Sequence, residues 1–309
     1  MNKIAVSYWT GNLPSISNLH FTSFKFNNSN FKYVLYLDND ISNLPSIPKN
    51  LIWLLNEPWF ELRYFSLTEM MSNFEIEPFS KWNNTLFSRM CRRIRLYMLK
   101  VALILNKKYN TLFLNAINNH YNKEVGLSFS HNQKFTGLYQ HLTYRSDVFR
   151  SLIAHKYPND DVMYVDLDIC FVKPFDKYDW GNAFSSPWGL SKFANTAILF
   201  LPSKNQLIRK KILFEFKEIS AAWPWVLYSE VRCKEYGLQL RKIEEFDPAW
   251  APKNPHTGES NSFMEKRSNS QEIVDWIDRH SFCVHWHNQW NVVPEPGSPY
   301  YIYLNRFKL

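Results

Sequence analysis

The 309-residue chain is 45% hydrophobic and 21% charged, enough to bury a substantial core and to exclude disorder as its default state. Its net charge of +8 favours an anionic partner, whether nucleic acid, a phospholipid surface or a phosphorylated substrate, without choosing among them. Cys91, Cys170, Cys233 and Cys283 form no C-x-x-C pair, so neither a zinc knuckle nor a disulfide framework is indicated, and a reducing compartment is the simpler reading.

The chain starts with Ile4 to Trp9, an apolar stretch that reads as a buried strand running into the loop Thr10 to Pro14. It lacks the long apolar core of a signal peptide, and no uninterrupted apolar run approaches the roughly 20 residues of a membrane span. The expectation is a cytoplasmic protein with at most peripheral contact on the inner face of a membrane. Asn18 to Phe26 suits a helix and Tyr33 to Leu37 a second strand, a β-α-β order that predicts an α/β sheet binding its ligands at the carboxyl ends of the strands.

From Leu86 to Leu105, apolar residues recur at three- and four-residue steps between Arg89, Arg92, Arg93, Arg95 and Lys100, predicting an amphipathic basic helix. A solvated basic face on a packed helix is the ordinary reading; docking on anionic lipid or a phosphorylated acceptor is the functional one. A further helix is expected over His141 to His155, then a strand up to Val165, another from Thr196 to Leu201, a helix around Gln206 to Ile219, and a mobile polar loop from Pro252 to Gln271. The aromatic share, 17%, suits sugar rings and nucleobases as well as cores.

The strand ending at Val165 is closed by Asp166-Leu167-Asp168. Alternation along an extended segment points both carboxylates to one side, a good seat for a hard divalent cation that keeps positions open for substrate phosphate. A bare D-x-D is common, and a solvated turn is its ordinary meaning. Here it follows a helix carrying Ser146, Asp147 and Arg150, so acidic and basic groups can meet at one sheet edge.

The run Ser146-Asp147-Val148-Phe149-Arg150, followed by Tyr164-Val165-Asp166-Leu167-Asp168, resembles the "S-D-x-x-R … Y-x-D-x-D" signature of DXD-motif glycosyltransferases. That group takes in the capsular-polysaccharide, Golgi mannosyl- and globoside-type transferases and the glucosylating domain of clostridial toxins. Ile4 to Pro14, Asn195 to Leu199, and His285-Trp286-His287-Asn288-Gln289-Trp290 are similar to its opening strand and loop, its "N-a-i-i" strand and its terminal "H-x-x-x-x-W". One departure is Pro158-Asn159-Asp160-Asp161, where the family carries a Gly-Gly pair.

The resemblance implies a single GT-A-type α/β domain over residues 1–309, a mixed, largely parallel sheet flanked by helices, with a helical insertion around 56–135. It implies Mn²⁺ or Mg²⁺ held by Asp168, Asp166 and His285, with His287 the alternative to His285. Asp147 would hold donor-sugar hydroxyls, Arg150 would contact sugar or phosphate, and Trp9 would stack on the nucleobase. Asn195 would complete the nucleotide-sugar site. The ordinary alternatives are a surface i, i+3 pair for Asp147 and Arg150, a core aromatic for Trp9, a backbone-satisfying amide for Asn195, and packing beside Trp286 and Trp290 for the histidines.

The implied reaction transfers a hexose, galactose- or glucose-type, from a UDP-sugar to a glycan or lipid-linked oligosaccharide acceptor, with retention, in assembly of bacterial surface polysaccharide. An inverting reaction would need a base, for which Glu230, Glu245 and Asp247 are the candidates. A glycosylating effector acting on protein and a metal-dependent phosphodiesterase or nuclease are the competing readings. Nucleic acid is not an expected partner, because no zinc-finger spacing, aromatic RNA-recognition motif or glycine-rich backbone clamp is present.

Overall fold

The computed structural model describes residues 2–40, 46–75, 142–175, 182–187, 194–218, 230–251, 254–255, 263–287 and 289–308. The basic segment Leu86 to Leu105 lies outside the described residues. Strands β1 (Lys3–Thr10), β2 (Lys32–Asp38), β3 (Phe60–Phe65), β4 (Asp161–Val165), β6 (Phe184–Pro187), β7 (Ala194–Leu201) and β8 (Gln239–Leu240) form one sheet in the order β3-β2-β1-β4-β7-β6-β8. Only β7 runs against the others. This is the mixed, largely parallel α/β sheet flanked by helices expected of a GT-A-type fold. A two-stranded antiparallel sheet pairs β5 (Ile169–Phe171) with β9 (Cys283–His285).

The alternation of side chains along β1 and β2 shows why both strands are apolar almost throughout. Ile4, Val6, Tyr8, Val34 and Tyr36 face one core with Val148, Phe149 and Leu152 of α3 (Leu142–Leu152). Ala5, Tyr33, Leu35 and Leu37 face the other with Phe21 and Phe24 of α1 (Asn18–Asn28). Strands covered on both faces need apolar residues at every position, and each fully buried large side chain contributes roughly 1.5–3 kcal/mol.

Helix α1 also fastens the short strand β5. Ser23 Oγ accepts from Phe171 N at 3.0 Å, Asn27 Nδ2 donates to Phe171 O at 2.8 Å, and Asn28 Oδ1 accepts from Phe175 N at 2.9 Å. Beyond the helices α5 (Glu230–Tyr236) and α6 (Ile243–Phe246), a third core joins α7 (Ser270–His280) and α8 (Pro299–Arg306) to Trp286 and Phe263, whose rings stack 6.0 Å apart.

Several expectations change in detail. The strand before the acidic pair ends at Val165 and the chain turns through Leu167 and Asp168, so extended alternation does not bring the two carboxylates together. Of the polar stretch Pro252 to Gln271, residues 252–253 and 256–262 lie outside the described residues, while Phe263 and Met264 are buried in the third core and α7 begins at Ser270. Apolar anchoring of two residues overrides the polar composition around them. Within 56–135, residues 60–65 form the edge strand β3 and residues 67–73 the helix α2 (Leu67–Asn73), while 76–135 lie outside the described residues.

The turn at residues 158–161 is held by a buried arginine. Arg209, from α4 (Gln206–Glu218), donates to the carbonyls of Ala154 at 3.0 Å, Tyr157 at 2.8 Å and Asp160 at 2.7 Å, and to that of Leu201. These charge-assisted bonds add to the backbone bonds Tyr157 N to Ala154 O and Asp160 N to Tyr157 O, so one guanidinium ties the turn to the end of β7. The helix before the turn and the strand after it thereby keep their expected places.

Candidate active site

The carboxyl ends of β1 and β4 and the start of the antiparallel β7 converge on one sheet edge, beside the point where the strand order reverses between β1 and β4. Ligand sites in open α/β sheets sit at such a reversal. Asp166 leaves the end of β4 with its backbone N–H bonded to Ala197 O at 2.8 Å. Asp168 stands on the turn into β5, and the register of β5 against β9 sets Ile169 opposite His285 while Trp286 N donates to Asp168 O at 3.0 Å. Pairing of two remote segments thus delivers an imidazole to the acidic pair.

Asp166, Asp168 and His285 present ligand atoms within 4.8 Å of one another. His285 Nε2 lies 3.1 Å from Asp168 Oδ2, and this buried nitrogen makes no hydrogen bond. Burial disfavours the charged imidazole, but the adjacent Asp168 carboxylate, with Asp247 and Asp166 behind it, holds its pKa up at about 9. The Asp166 carboxyl is pushed up by burial and by Asp168, against the pull of Arg150. Crowded carboxylates, a buried ring nitrogen and an Asp166 side chain 22% open to solvent fit a divalent cation with a substrate-facing side.

Arg150 is the hub of the site. It donates through Nη2 to Asp166 Oδ1 at 3.1 Å and to Ser146 Oγ at 3.0 Å, and through Nη1 to Thr196 Oγ1 at 2.9 Å. Its Nη2 is 3.4 Å from Asp147 Oδ1, and its guanidinium lies 4.6 Å from the Tyr164 ring centre. Tyr164 in turn donates its hydroxyl to Asp166 Oδ1 at 2.5 Å. Asp147 and Arg150 are buried, which excludes the surface-pair reading, and the guanidinium fork orients Asp166.

Asn195 and Thr196 both serve the site although they are neighbours on a strand. Thr196 has a φ of +57°, a conformation that β-branched residues rarely adopt, and the β6–β7 register shifts alongside it. Strand alternation is broken there, so Thr196 reaches Arg150 while Asn195 Nδ2 lies 3.0 Å from His285 Nδ1. Asn195 therefore does more than satisfy backbone.

Trp9 is half-buried, its ring 4.9 Å from that of Trp290 and its Nε1 bonded to Asn12 O at 3.0 Å. The structure places it beside the C-terminal motif, with one side of the indole taken by another tryptophan.

Beside this centre, Asp247, His285 and His287 form a second group of converging ligand atoms, with His287 Nε2 2.8 Å from Asp247 Oδ1 and the two imidazole rings 4.0 Å apart. Of the three candidate bases, Asp247 is thus at the site. Glu245 lies two residues away on the same arm, and the side chain of Glu230 is outside the described set.

Sequence reasoning missed two buried networks. Arg145 bonds Asp38, Asp40 and Tyr8, tying the start of α3 to the ends of β1 and β2. His20 Nδ1 meets Ile169 O at 2.8 Å and its Nε2 meets the Tyr33 hydroxyl at 2.6 Å, while Ser7, in contact with that hydroxyl, donates to Val165 O at 2.6 Å. A carbonyl can only accept, so His20 carries its proton on Nδ1. The chain Val165–Ser7–Tyr33–His20–Ile169 spans both sides of the Asp166–Asp168 turn. Asp38-Asn39-Asp40 at the end of a strand and a histidine between Leu19 and Phe21 were the available signals.

No family model matches the chain. A comparison with curated proteins finds no match. Among solved structures it is similar to the galactosyltransferase LgtC bound to donor and acceptor sugar analogues, at 11% identity and a TM-score of 0.41 over 94% of this chain and 91% of that one. It is also similar to the glycosyltransferase GlyE of Streptococcus pneumoniae TIGR4, at 14% and 0.42, covering 100% of this chain and 61% of that one. For mouse xyloside xylosyltransferase 1 the values are 8% and 0.40, over 94% and 99%. Likenesses this distant assign no donor, acceptor or catalytic residue to this chain.

Proposed function

We propose that the chain is a metal-dependent glycosyltransferase that binds a nucleotide-sugar at the Asp166–Asp168–His285 centre. The carrying observation is the convergence of these three side chains, at the carboxyl end of the central strand β4, from two segments far apart in sequence that the β5–β9 pairing brings together. Their donor set suits Mn²⁺ or Mg²⁺, which when bound would neutralise a diphosphate leaving group.

The chain's own residues define the remaining roles. Arg150 fixes the Asp166 carboxylate and adds positive charge at the sheet edge, and Asn195 orients the His285 ring. Asp147, joined to Arg150, is the carboxylate for donor-sugar hydroxyls. Trp9, at the end of β1, offers an aromatic face to the base. In the reaction the anomeric carbon exchanges its bond to the diphosphate oxygen for one to an acceptor hydroxyl, and fixed charge supplies the main catalytic term.

The donor in this reading is a UDP-hexose of galactose or glucose type, transferred with retention. The acceptor is a glycan or lipid-linked oligosaccharide of a bacterial surface polysaccharide, reached from the cytoplasmic face of the membrane. Among the described residues no helix is long and apolar enough to cross a membrane, so contact with anionic lipid in this reading is peripheral. A glycosylating effector acting on protein would use the same centre with a different acceptor.

Mn²⁺-dependent hydrolysis of a panel of UDP-sugars tests the reading. It requires release of UDP by the wild type and its loss in Asp168→Asn. Cleavage of a phosphodiester substrate with no turnover of any nucleotide-sugar would replace it with the phosphodiesterase alternative.

A further inference from the structure

Asp247 is 1% exposed and has only one of its two carboxylate oxygens engaged: Oδ1 meets His287 Nε2 at 2.8 Å, while the buried Oδ2 has no hydrogen-bond partner. A buried carboxylate oxygen without a donor is costly, the more so for a charged group. His287 adds a second cost. Its backbone φ is +52°, a left-handed conformation that a non-glycine residue holds only at an energetic cost.

The arm carrying Asp247 is stitched to the arm carrying the histidines. Ser281 Oγ donates to Glu244 O at 2.6 Å, Phe282 N to Glu245 O at 2.8 Å, and Cys283 Sγ to Phe246 O at 3.5 Å. Successive contacts in register leave Asp247 facing His285 and His287. Strain and an unsatisfied oxygen are thus held in place by the surrounding fold, and both point to the same small volume.

We propose that Asp247, His285 and His287 form a second cation seat, adjacent to the acidic pair and sharing His285 with it, that takes a borderline transition ion such as Zn²⁺. The three ligand atoms lie within 4.8 Å of one another. Two imidazoles and one carboxylate suit Zn²⁺ or Co²⁺, whereas the carboxylate-rich set of Asp166, Asp168 and His285 suits Mn²⁺ or Mg²⁺. Because Nδ1 of His285 is bonded to Asn195, Nε2 is the nitrogen both seats require. The two ions therefore exclude one another, and Zn²⁺ acts as an antagonist of Mn²⁺ loading. The second seat goes beyond the glycosyl-transfer reading and stands without it; its antagonism of Mn²⁺ rests on that reading.

The test uses the full chain stripped with EDTA, titrated with Zn²⁺ by calorimetry and with Mn²⁺ by the loss of the free-ion EPR signal. Asp247→Asn and His287→Gln each remove a ligand and lower Zn²⁺ affinity by roughly tenfold or more, at least the loss that follows when only a ligand's outer-shell partner is changed. Asp166→Asn lowers Mn²⁺ affinity and leaves Zn²⁺ binding, and one equivalent of Zn²⁺ releases bound Mn²⁺ from the wild type. Should Asp247→Asn fail to fold, His287→Gln decides, because that ring is partly exposed. Absence of Zn²⁺ binding, Zn²⁺ binding indifferent to Asp247 and His287, or Zn²⁺ and Mn²⁺ bound together overturns the second seat. Zn²⁺ binding that needs Asp247 in a protein with no Mn²⁺ affinity upholds it and removes the glycosyl-transfer reading instead.

Discussion

Asp168 and His285 meet at 3.1 Å because Ile169, next to the first, is paired across the β5–β9 ladder with the second. A slip of one residue in that ladder would turn the imidazole to the opposite face and dismantle the centre. The register is fixed on both sides: α1 holds β5 through Ser23 and Asn27, and Trp286 fills the third core immediately after His285. The site's geometry is therefore a consequence of core packing.

Asn195 sets the orientation of that imidazole. Its Nδ2 faces His285 Nδ1 at 3.0 Å, whereas a neutral metal ligand at Nε2 carries its proton on Nδ1, so cation binding turns the amide over to present its oxygen as the acceptor. Asn195→Leu removes the acceptor with little change in volume. Mn²⁺ affinity is expected to fall by roughly 10–100-fold with the fold retained, and Asn195→Asp to restore part of it. Equal Mn²⁺ affinity in wild type and Asn195→Leu, measured by EPR, would remove Asn195 from the site.

Arg150 compensates two carboxylates at once. Its side chain is 5% exposed, so Arg150→Met leaves Asp147 and Asp166 without their cation in a poorly solvated place. Removing one partner of a buried pair costs about 3–5 kcal/mol, and urea unfolding of the variant is expected to show a loss in that range. A loss below about 1 kcal/mol, typical of an exposed pair, would contradict the clamp described here.

The pH dependence of stability has an identifiable source in His20. Burial lowers its pKa to about 4 from an ordinary 6.5, despite the hydrogen bond to Ile169 O and the charge of Asp168. Above pH 6.5 the ring is neutral in both folded and unfolded chains and its contribution is complete. Between about 6.5 and 4 only the unfolded chain takes up the proton, so stability falls as the medium becomes more acidic, by at most about 3 kcal/mol. Urea midpoints at pH 7 and pH 4.5 are expected to differ less in His20→Gln than in the wild type; an identical difference would place the acid sensitivity elsewhere.

Much of this centre is legible in the sequence, and the reason is local. Strands β1 and β2 are apolar at nearly every position because both faces are covered, and Asp166 and Asp168 follow such a strand directly. Asp147 and Arg150 share a helical spacing that proximity alone makes visible. The rest depends on partners that only the fold introduces. Arg145 finds Asp38 and Asp40 across three elements, Arg209 closes a turn from a later helix, and Asp247 meets His287 through two arms with no common motif. The left-handed backbone of Thr196 is equally silent, since a threonine within an apolar strand predicts only ordinary alternation.

The central claim is that Asp166 and Asp168 hold a cation that binds a nucleoside diphosphate. Calorimetric titration of UDP and UDP-sugars, with and without Mn²⁺, into the wild type and the Asp166→Ala/Asp168→Ala double variant tests it most directly. The account predicts binding that requires Mn²⁺ in the wild type and is absent in the variant. Nucleotide binding of equal strength in both proteins, or independent of Mn²⁺, would contradict it.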